Sequence, residues 1–214
     1  TGAITAPGQF VNLKLGGFFL RRPMSVCDWD EHTLTIVYKV VGQGTAAMAA
    51  MRPGAVLDVL TGLGNGYDLR PAGARPLLIG GGVGVPPLYG LAKRLHGCRP
   101  VAVLGFNTAD EVFGRQEFEA LGVQTIVCTA DGSAGVQGFV TDALPGDASY
   151  FYACGPEPML RAVWDKTDID GQLSFESRMG CGFGACMGCS CQTKYGAKRI
   201  CRDGPVLTKG EILW

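Results

Sequence analysis

Near its end the chain reads Met179-Gly180-Cys181-Gly182-Phe183-Gly184-Ala185-Cys186-Met187-Gly188-Cys189-Ser190-Cys191, and a polar stretch then leads to Cys201. The spacing Cys181-x4-Cys186-x2-Cys189, with Cys201 as a distal fourth, is that of a plant-type 2Fe-2S loop. Four thiolates and two sulfides leave such a cluster anionic, so backbone N–H groups must turn inward to stabilise it. Gly182, Gly184 and Gly188 lie between the ligands, with Gly180 just before them, and glycine permits so sharp a turn. The rival chemistry is a structural zinc site with four cysteine ligands, which usually come as two close pairs. Here three ligands share one tight loop. Cys191 could replace Cys189 or sit beside it, although an extra cysteine is most often buried as a small apolar residue.

A second chemical signal is Leu77-Leu78-Ile79 running into Gly80-Gly81-Gly82-Val83-Gly84-Val85-Pro86-Pro87. A strand, a glycine turn and a helix start can receive a pyrophosphate on backbone N–H groups and the helix dipole. The match is G-x-G-x-x-P, carried by Gly82, Gly84 and Pro87, and such turns also occur for packing alone. A second turn, Cys154-Gly155-Pro156, follows a later strand, and the two could border one crevice. The acidic residue that would hold an NAD ribose is not clear in the sequence. Asp110 and Glu111 come several residues after the second strand, and Arg115 is the nearest cation, so NAD and NADP stay undistinguished. Arg21-Arg22-Pro23-Met24-Ser25 and Gly42-Gln43-Gly44-Thr45 are a third signal, fit for contact with an anionic cofactor or equally a basic edge and an ordinary turn.

The rest of the chain must position these groups. It has 214 residues, 19 Lys plus Arg against 19 Asp plus Glu, and 47% hydrophobic residues. Zero net charge argues against nucleic acid as the main ligand. No apolar run approaches the ~20 residues of a membrane span, and no signal peptide opens the chain, which disfavours membrane insertion and secretion. Five of the nine cysteines fall between Cys181 and Cys201, unlike a secreted disulfide scaffold.

Alternation over Phe10 to Leu15 and Leu34 to Val40, with Gly and Pro punctuation, predicts a small β barrel over residues 1–72. One short helix is expected at Thr45 to Met51, capped by Thr45. From residue 73 to 170, four buried runs alternate with helical stretches, which predicts an α/β doubly wound parallel sheet. Residues 171–214 lose this periodicity and read as a cysteine-rich 2Fe-2S segment. A nicotinamide moves two electrons as hydride and a 2Fe-2S cluster moves one, so a flavin in the barrel is expected on chemical grounds.

R-P-x-S, G-x-G-x-x-P and C-G-P together resemble the ferredoxin–NADP reductase superfamily. The phrases Gly171-Gln172-Leu173-Ser174-Phe175-Glu176 and Arg199-Ile200-Cys201-Arg202-Asp203-Gly204-Pro205-Val206 resemble one branch, the electron-transfer subunits of NAD-dependent dihydroorotate dehydrogenase B. The resemblance spans essentially the whole chain. It implies FAD held by Arg22, Pro23, Met24 and Ser25, by Val37-Tyr38-Lys39, and by Gly44 and Thr45. It implies iron held by Cys181, Cys186, Cys189 and Cys201, and NAD at Gly82, Gly84, Pro87, Cys154, Gly155 and Pro156, with Cys154 near the nicotinamide.

By the same resemblance, electrons from a partner's FMN, which oxidises dihydroorotate to orotate, cross the cluster and FAD to NAD. The implied assembly is a cytoplasmic heterotetramer with two copies of each subunit. The superfamily often has Tyr where Met24 stands, so aromatic stacking on the flavin is not expected there. The chain opens within what reads as the second or third barrel strand. No catalytic acid, base or nucleophile is expected on this chain. His32 and His96 should lie on the surface, and Cys27, Cys98 and Cys128 in the core. The rivals are a related subunit of a sulfide dehydrogenase or of an NADH-dependent ferredoxin:NADP oxidoreductase, and a zinc-stabilised binding module.

Overall fold

The computed structural model describes residues 3–214; residues 1 and 2 of the expected first segment lie outside it. The N-terminal part is antiparallel. Strands β1 (Phe10–Lys14) and β2 (Arg22–Ser25) pair with Asn12 opposite Pro23, and a short hairpin joins β3 (Asp28–Trp29) to β4 (Leu34–Thr35). Helix α1 (Gln43–Ala49) follows, and β5 (Asp58–Leu63) returns to the free side of β1. The ladder order is therefore β2-β1-β5, and these strands do not close into a barrel among the described residues. Successive β1 residues face opposite ways, as a pleated strand requires. Val11 and Leu13 pack with Ile4, Leu15, Val26 and Met48, while Phe10 packs toward Cys189, Ile200 and Cys201.

Two local expectations are corrected here. Pairing of the Leu34 to Val40 run stops at Thr35, so Val37, Tyr38 and Lys39 belong to no ladder: alternation marks an extended segment but supplies no partner strand. Helix α1 starts earlier, with Gly42 as its cap. Thr45 stands one turn in, where its Oγ1 accepts from Val41 N–H (2.9 Å) and Gly42 N–H (3.2 Å). The hydroxyl still closes the helix start, from the other side.

The larger sheet holds seven strands. Four follow the expected alternation with helices: β6 (Pro76–Gly81), β7 (Val101–Phe106), β8 (Gln124–Thr129) and, after the two-residue β9 (Val136–Gln137), β10 (Tyr150–Cys154). The helices are α2 (Val85–Ala92), α3 (Arg115–Ala120) and α4 (Glu157–Lys166); the run Val140 to Leu144, which reads as helical in the sequence, forms a single 3-10 turn over Val140–Asp142. The sheet does not stop at residue 170. Gly171–Ser174 forms β11, parallel to β10, and after a hairpin of β12 (Ser190–Thr193) and β13 (Gly196–Arg199) the last strand β14 (Val206–Thr208) pairs antiparallel with β11.

The order β14-β11-β10-β6-β7-β8-β9 steps outward in both directions from the β6–β10 pair. Alternate strand residues feed two cores. Leu78, Leu104 and Tyr152 pack with Leu88, Leu91 and Phe118, whereas Leu77, Ile79, Val103 and Phe151 pack with Leu160 and Val163. Helices therefore cover both faces, which is why these strands read as continuous apolar runs. No helix among the described residues is long and apolar enough to cross a membrane.

Candidate functional site

Between β11 and β12 the chain forms the cysteine loop. Gly182 and Gly184 have φ of +80° and +92°, and Met187 reaches +60°. These left-handed residues fold the backbone back on itself, so that the N–H groups of Ala185 and Cys186 point at Cys181 Sγ, at 3.2 and 3.5 Å. Burial works against ionisation of Cys181, but the N–H groups of Cys186, Phe183 and Ala185 outweigh it and hold the thiol down at about 6. Cys201 is pushed up to about 12 by burial and by the Cys189 sulfur, and its own N–H donates to Cys189 Sγ at 3.4 Å.

The loop joins a wet side to a dry one. Cys189 and Cys201 are buried, whereas Cys186 is exposed beside the exposed side chains of Phe183 and Met187. Arg199 donates to Gly184 O (2.9 Å) and pairs with Asp203, and Arg202 packs against Gly184. Two cations thus stand beside the loop, where a charged cluster needs them. Among the described residues no group of three or more His, Cys, Asp or Glu side chains is drawn together about one point, the four expected cysteines included. Soft thiolate donors, inward N–H groups and adjacent cations fit an anionic iron–sulfur group.

The flavin residues expected from the sequence come together in part. A Cβ on Gly44 would fall 2.3 Å from Arg22 Nε, so the R-P-M-S strand and the start of α1 meet with the Arg22 guanidinium lying directly on the Gly44 backbone. This junction of a cation with a glycine turn suits an anionic cofactor. Arg22 also lies over the Phe18 ring, whereas Arg21 is paired with Asp58 at 2.9 Å. Thr45 is buried and Met24 half-buried; Ser25, Val37 and Lys39 are exposed. Lys39 reaches across to Glu111 at 2.8 Å. A cavity of about 800 Å³ opens on the face of β1 that carries Val11 and Leu13, the face shared by Arg22 and Met24 of β2, and is lined by Leu13, Ile36, Tyr38, Met48 and Val59 among others; of the residues expected at the flavin it takes in Tyr38 alone.

The glycine turns are in direct contact. A Cβ on Gly84 would sit 2.2 Å from the carbonyl oxygen of Cys154 and 2.7 Å from Gly155 N. Beside them, at the carboxyl ends of β6, β7 and β10, is a cavity of about 420 Å³ lined by Gly82, Asn107, Phe139, Pro156 and Met159 among others. Gly82 and Pro156 line it, while Gly84, Pro87 and Cys154 are buried behind it. Cys154 is pushed up to about 12, chiefly by burial, so it carries its proton at neutral pH. Asn107, Phe139 and Met159 carry no spacing signal in the sequence. Phe139 betrays itself only in three dimensions, as a phenyl ring 70% exposed at the cavity mouth. His32 and His96 are exposed and Cys27 and Cys128 buried, but Cys98 is half-buried, with its thiol on Gly73 O at 3.1 Å.

Residues 176–213 match a family model described as the iron-sulfur cluster binding domain of dihydroorotate dehydrogenase B. The dihydroorotate dehydrogenase B (NAD(+)) electron transfer subunit of Bacillus caldolyticus is 48% identical over 225 aligned residues, which cover 97% of this chain and 86% of that protein. That of Fusobacterium nucleatum subsp. nucleatum is 43% identical, covering 96% and 86%. Among solved structures, one of an NADH-dependent reduced ferredoxin-NADP oxidoreductase superposes with a TM-score of 0.89 at 33% identity, over 98% of this chain and 80% of that one. Ferredoxin-NADP+ reductase from Plasmodium falciparum, with a TM-score of 0.60 at 12% identity over 76% and 77%, shares the fold. The chain belongs to the family of dihydroorotate dehydrogenase B (NAD(+)) electron transfer subunits.

Proposed function

We propose that this chain carries electrons between the FMN of a dihydroorotate-oxidising partner and NAD, in a cytoplasmic complex with two copies of each subunit. In this reading residues 1–72 form the FAD-binding unit, built on an open antiparallel sheet in place of the expected barrel, residues 73–170 with β11 and β14 at the sheet edge form the NAD-binding unit, and the rest of 171–214 is the 2Fe-2S segment. Bound cluster supplies one-electron transfer, and bound flavin the conversion between single electrons and hydride. The thiolates of Cys181, Cys186, Cys189 and Cys201 hold iron, and Arg199 and Arg202 offset the charge. Arg22 and the N–H groups at Gly44 and Thr45 receive flavin phosphate, flanked by Pro23, Met24, Ser25 and the Val37-Tyr38-Lys39 segment. Gly82 and Pro156 line the dinucleotide site, and Gly84, Pro87, Cys154 and Gly155 form the packed floor beneath. A neutral Cys154 thiol at that floor adds no charge against a nicotinamide ring.

The observation that carries this reading is the cysteine loop, with backbone N–H groups aimed at Cys181 Sγ. Its test is the visible spectrum of anaerobically purified protein before and after NADH. Iron–thiolate and flavin absorption are expected, with the flavin bands bleached by NADH. Protein that stays colourless after reconstitution with iron, sulfide and FAD would overturn the assignment. A second reading, as the corresponding subunit of an NADH-dependent ferredoxin-NADP oxidoreductase, is favoured by the 0.89 superposition. The higher identity to the dihydroorotate dehydrogenase subunits places it second, and the subunit that co-purifies separates the two.

Iron loading should depend on pH in a stated sense. Metal must displace the Cys201 proton at any pH below about 12, and the Cys181 proton as well below about 6. Affinity is therefore expected to fall as pH falls, more steeply below pH 6. Bound iron after anaerobic reconstitution at pH 8, 7 and 5.5 checks this, and equal loading at all three would contradict it.

A further inference from the structure

Asn12 stands in the middle of β1, is 1% exposed, and shares the face of Phe10 that looks toward the cysteine segment. Its Nδ2 donates to the carbonyl oxygen of Cys181 over a long 3.4 Å. Because that carbonyl can only accept, the amide is oriented with nitrogen toward the loop. Its Oδ1 is buried and accepts no hydrogen bond among the described residues. Gly182 presses on the same nitrogen: a Cβ there would fall 2.3 Å from Asn12 Nδ2. On the strand side, Asn12 is paired opposite Pro23, and Arg21 Nη1 donates to its carbonyl oxygen at 3.3 Å.

A buried amide with one long hydrogen bond is a poor way to stabilise a sheet, and an apolar residue of the same size would cost less there. What this amide does is local. It joins the first cysteine of the loop to the strand that pairs with Arg22–Ser25, so one side chain links the two cofactor sites assigned above. We propose that Asn12 is a positioning residue for electron transfer, seating the Cys181–Gly182 backbone against β1 and thereby fixing the cluster relative to the flavin. This rests on Cys181 being a cluster ligand.

Asn12→Leu preserves the volume and removes the amide; Asn12→Ser keeps a polar group too short to reach Cys181. Both are compared with the unsubstituted protein, carrying both cofactors, by FAD and iron content, the low-temperature EPR spectrum after reduction, and rapid mixing with NADH. Full FAD and a rate of flavin reduction within twofold of the unsubstituted protein are expected. The following transfer to the cluster should slow at least tenfold, with an altered EPR signal. Amide hydrogen exchange over residues 180–188, read on cluster-free protein, should speed up at least threefold in both variants. Unchanged exchange together with unchanged transfer and EPR in either well-folded variant would overturn the role of Asn12 while leaving the ligand assignment standing. An unsubstituted protein that never assembles a cluster would overturn both.

Discussion

Cys186→Ser is expected to strip the iron from this protein while NADH still reduces its bound FAD. A thiolate is the metal ligand, and a serine hydroxyl keeps its proton at pH values where a cysteine ionises. Cys186 is also the best of the four positions for the test. Cys189 and Cys201 are buried among Phe10, Ile200 and Leu207, so changing them disturbs the core as well as the ligand set. Cys186 is exposed, and substitution of an exposed side chain usually shifts stability by no more than about 0.5 kcal/mol. The residues proposed for FAD and NAD lie on β2, in the Val37-Tyr38-Lys39 segment, at the start of α1 and on the turns after β6 and β10, and none of them belongs to the cysteine loop. Iron and acid-labile sulfide should drop at least tenfold, with FAD retained and NADH-dependent bleaching within twofold of normal. Loss of flavin reduction along with the iron would mean that the sites are not separable.

The cysteine spacing and the two glycine turns were legible because each is a local pattern: a few residues at fixed offsets suffice. The four strands from Pro76 to Cys154 were legible for a related reason. Burial on both faces leaves apolar runs that no surface element would keep. Strands β11 and β14, of four and three residues, are too short for periodicity to show. They owe their place to a sheet edge supplied by β10. The segment after residue 170 therefore reads as loops in the sequence although part of it completes the large sheet.

The same distinction explains the site. Arg22 and Gly44 were each suggested by a short motif, but their contact is a tertiary fact. Asn12 looks like an inward position of an alternating strand, and nothing in its neighbourhood announces that the residue opposite its amide is Cys181, 169 positions away. Val37 to Lys39 shows the reverse failure. The β-branched and aromatic composition is right for a strand, yet no described strand lies alongside to pair with it.

Gly84→Ala is expected to cost far more than Gly82→Ala, although both glycines belong to one turn. Gly82 has φ of +51° and open space where a Cβ would go, so alanine there meets only the backbone penalty, about 1–2 kcal/mol. At Gly84 the Cβ would overlap the Cys154 carbonyl oxygen at 2.2 Å, its carbon at 2.4 Å and Gly155 N at 2.7 Å. All three are backbone atoms at the end of β10, and no flexible side chain can give way. Relief requires moving the turn after β6 away from the turn after β10, against ladder pairs running from Tyr150 with Pro76 to Cys154 with Gly80. Overpacking costs about 1–3 kcal/mol, and an overlap of backbone with backbone belongs at the top of that range, about 3 kcal/mol. For a chain of this size that is roughly a 6–12 °C fall in unfolding midpoint. Because these turns also form the floor of the cavity proposed for the dinucleotide, Gly84→Ala should weaken NADH binding at least tenfold, measured by fluorescence titration. A Gly84→Ala protein that melts no lower than Gly82→Ala and binds NADH normally would show that the two turns do not press together as described.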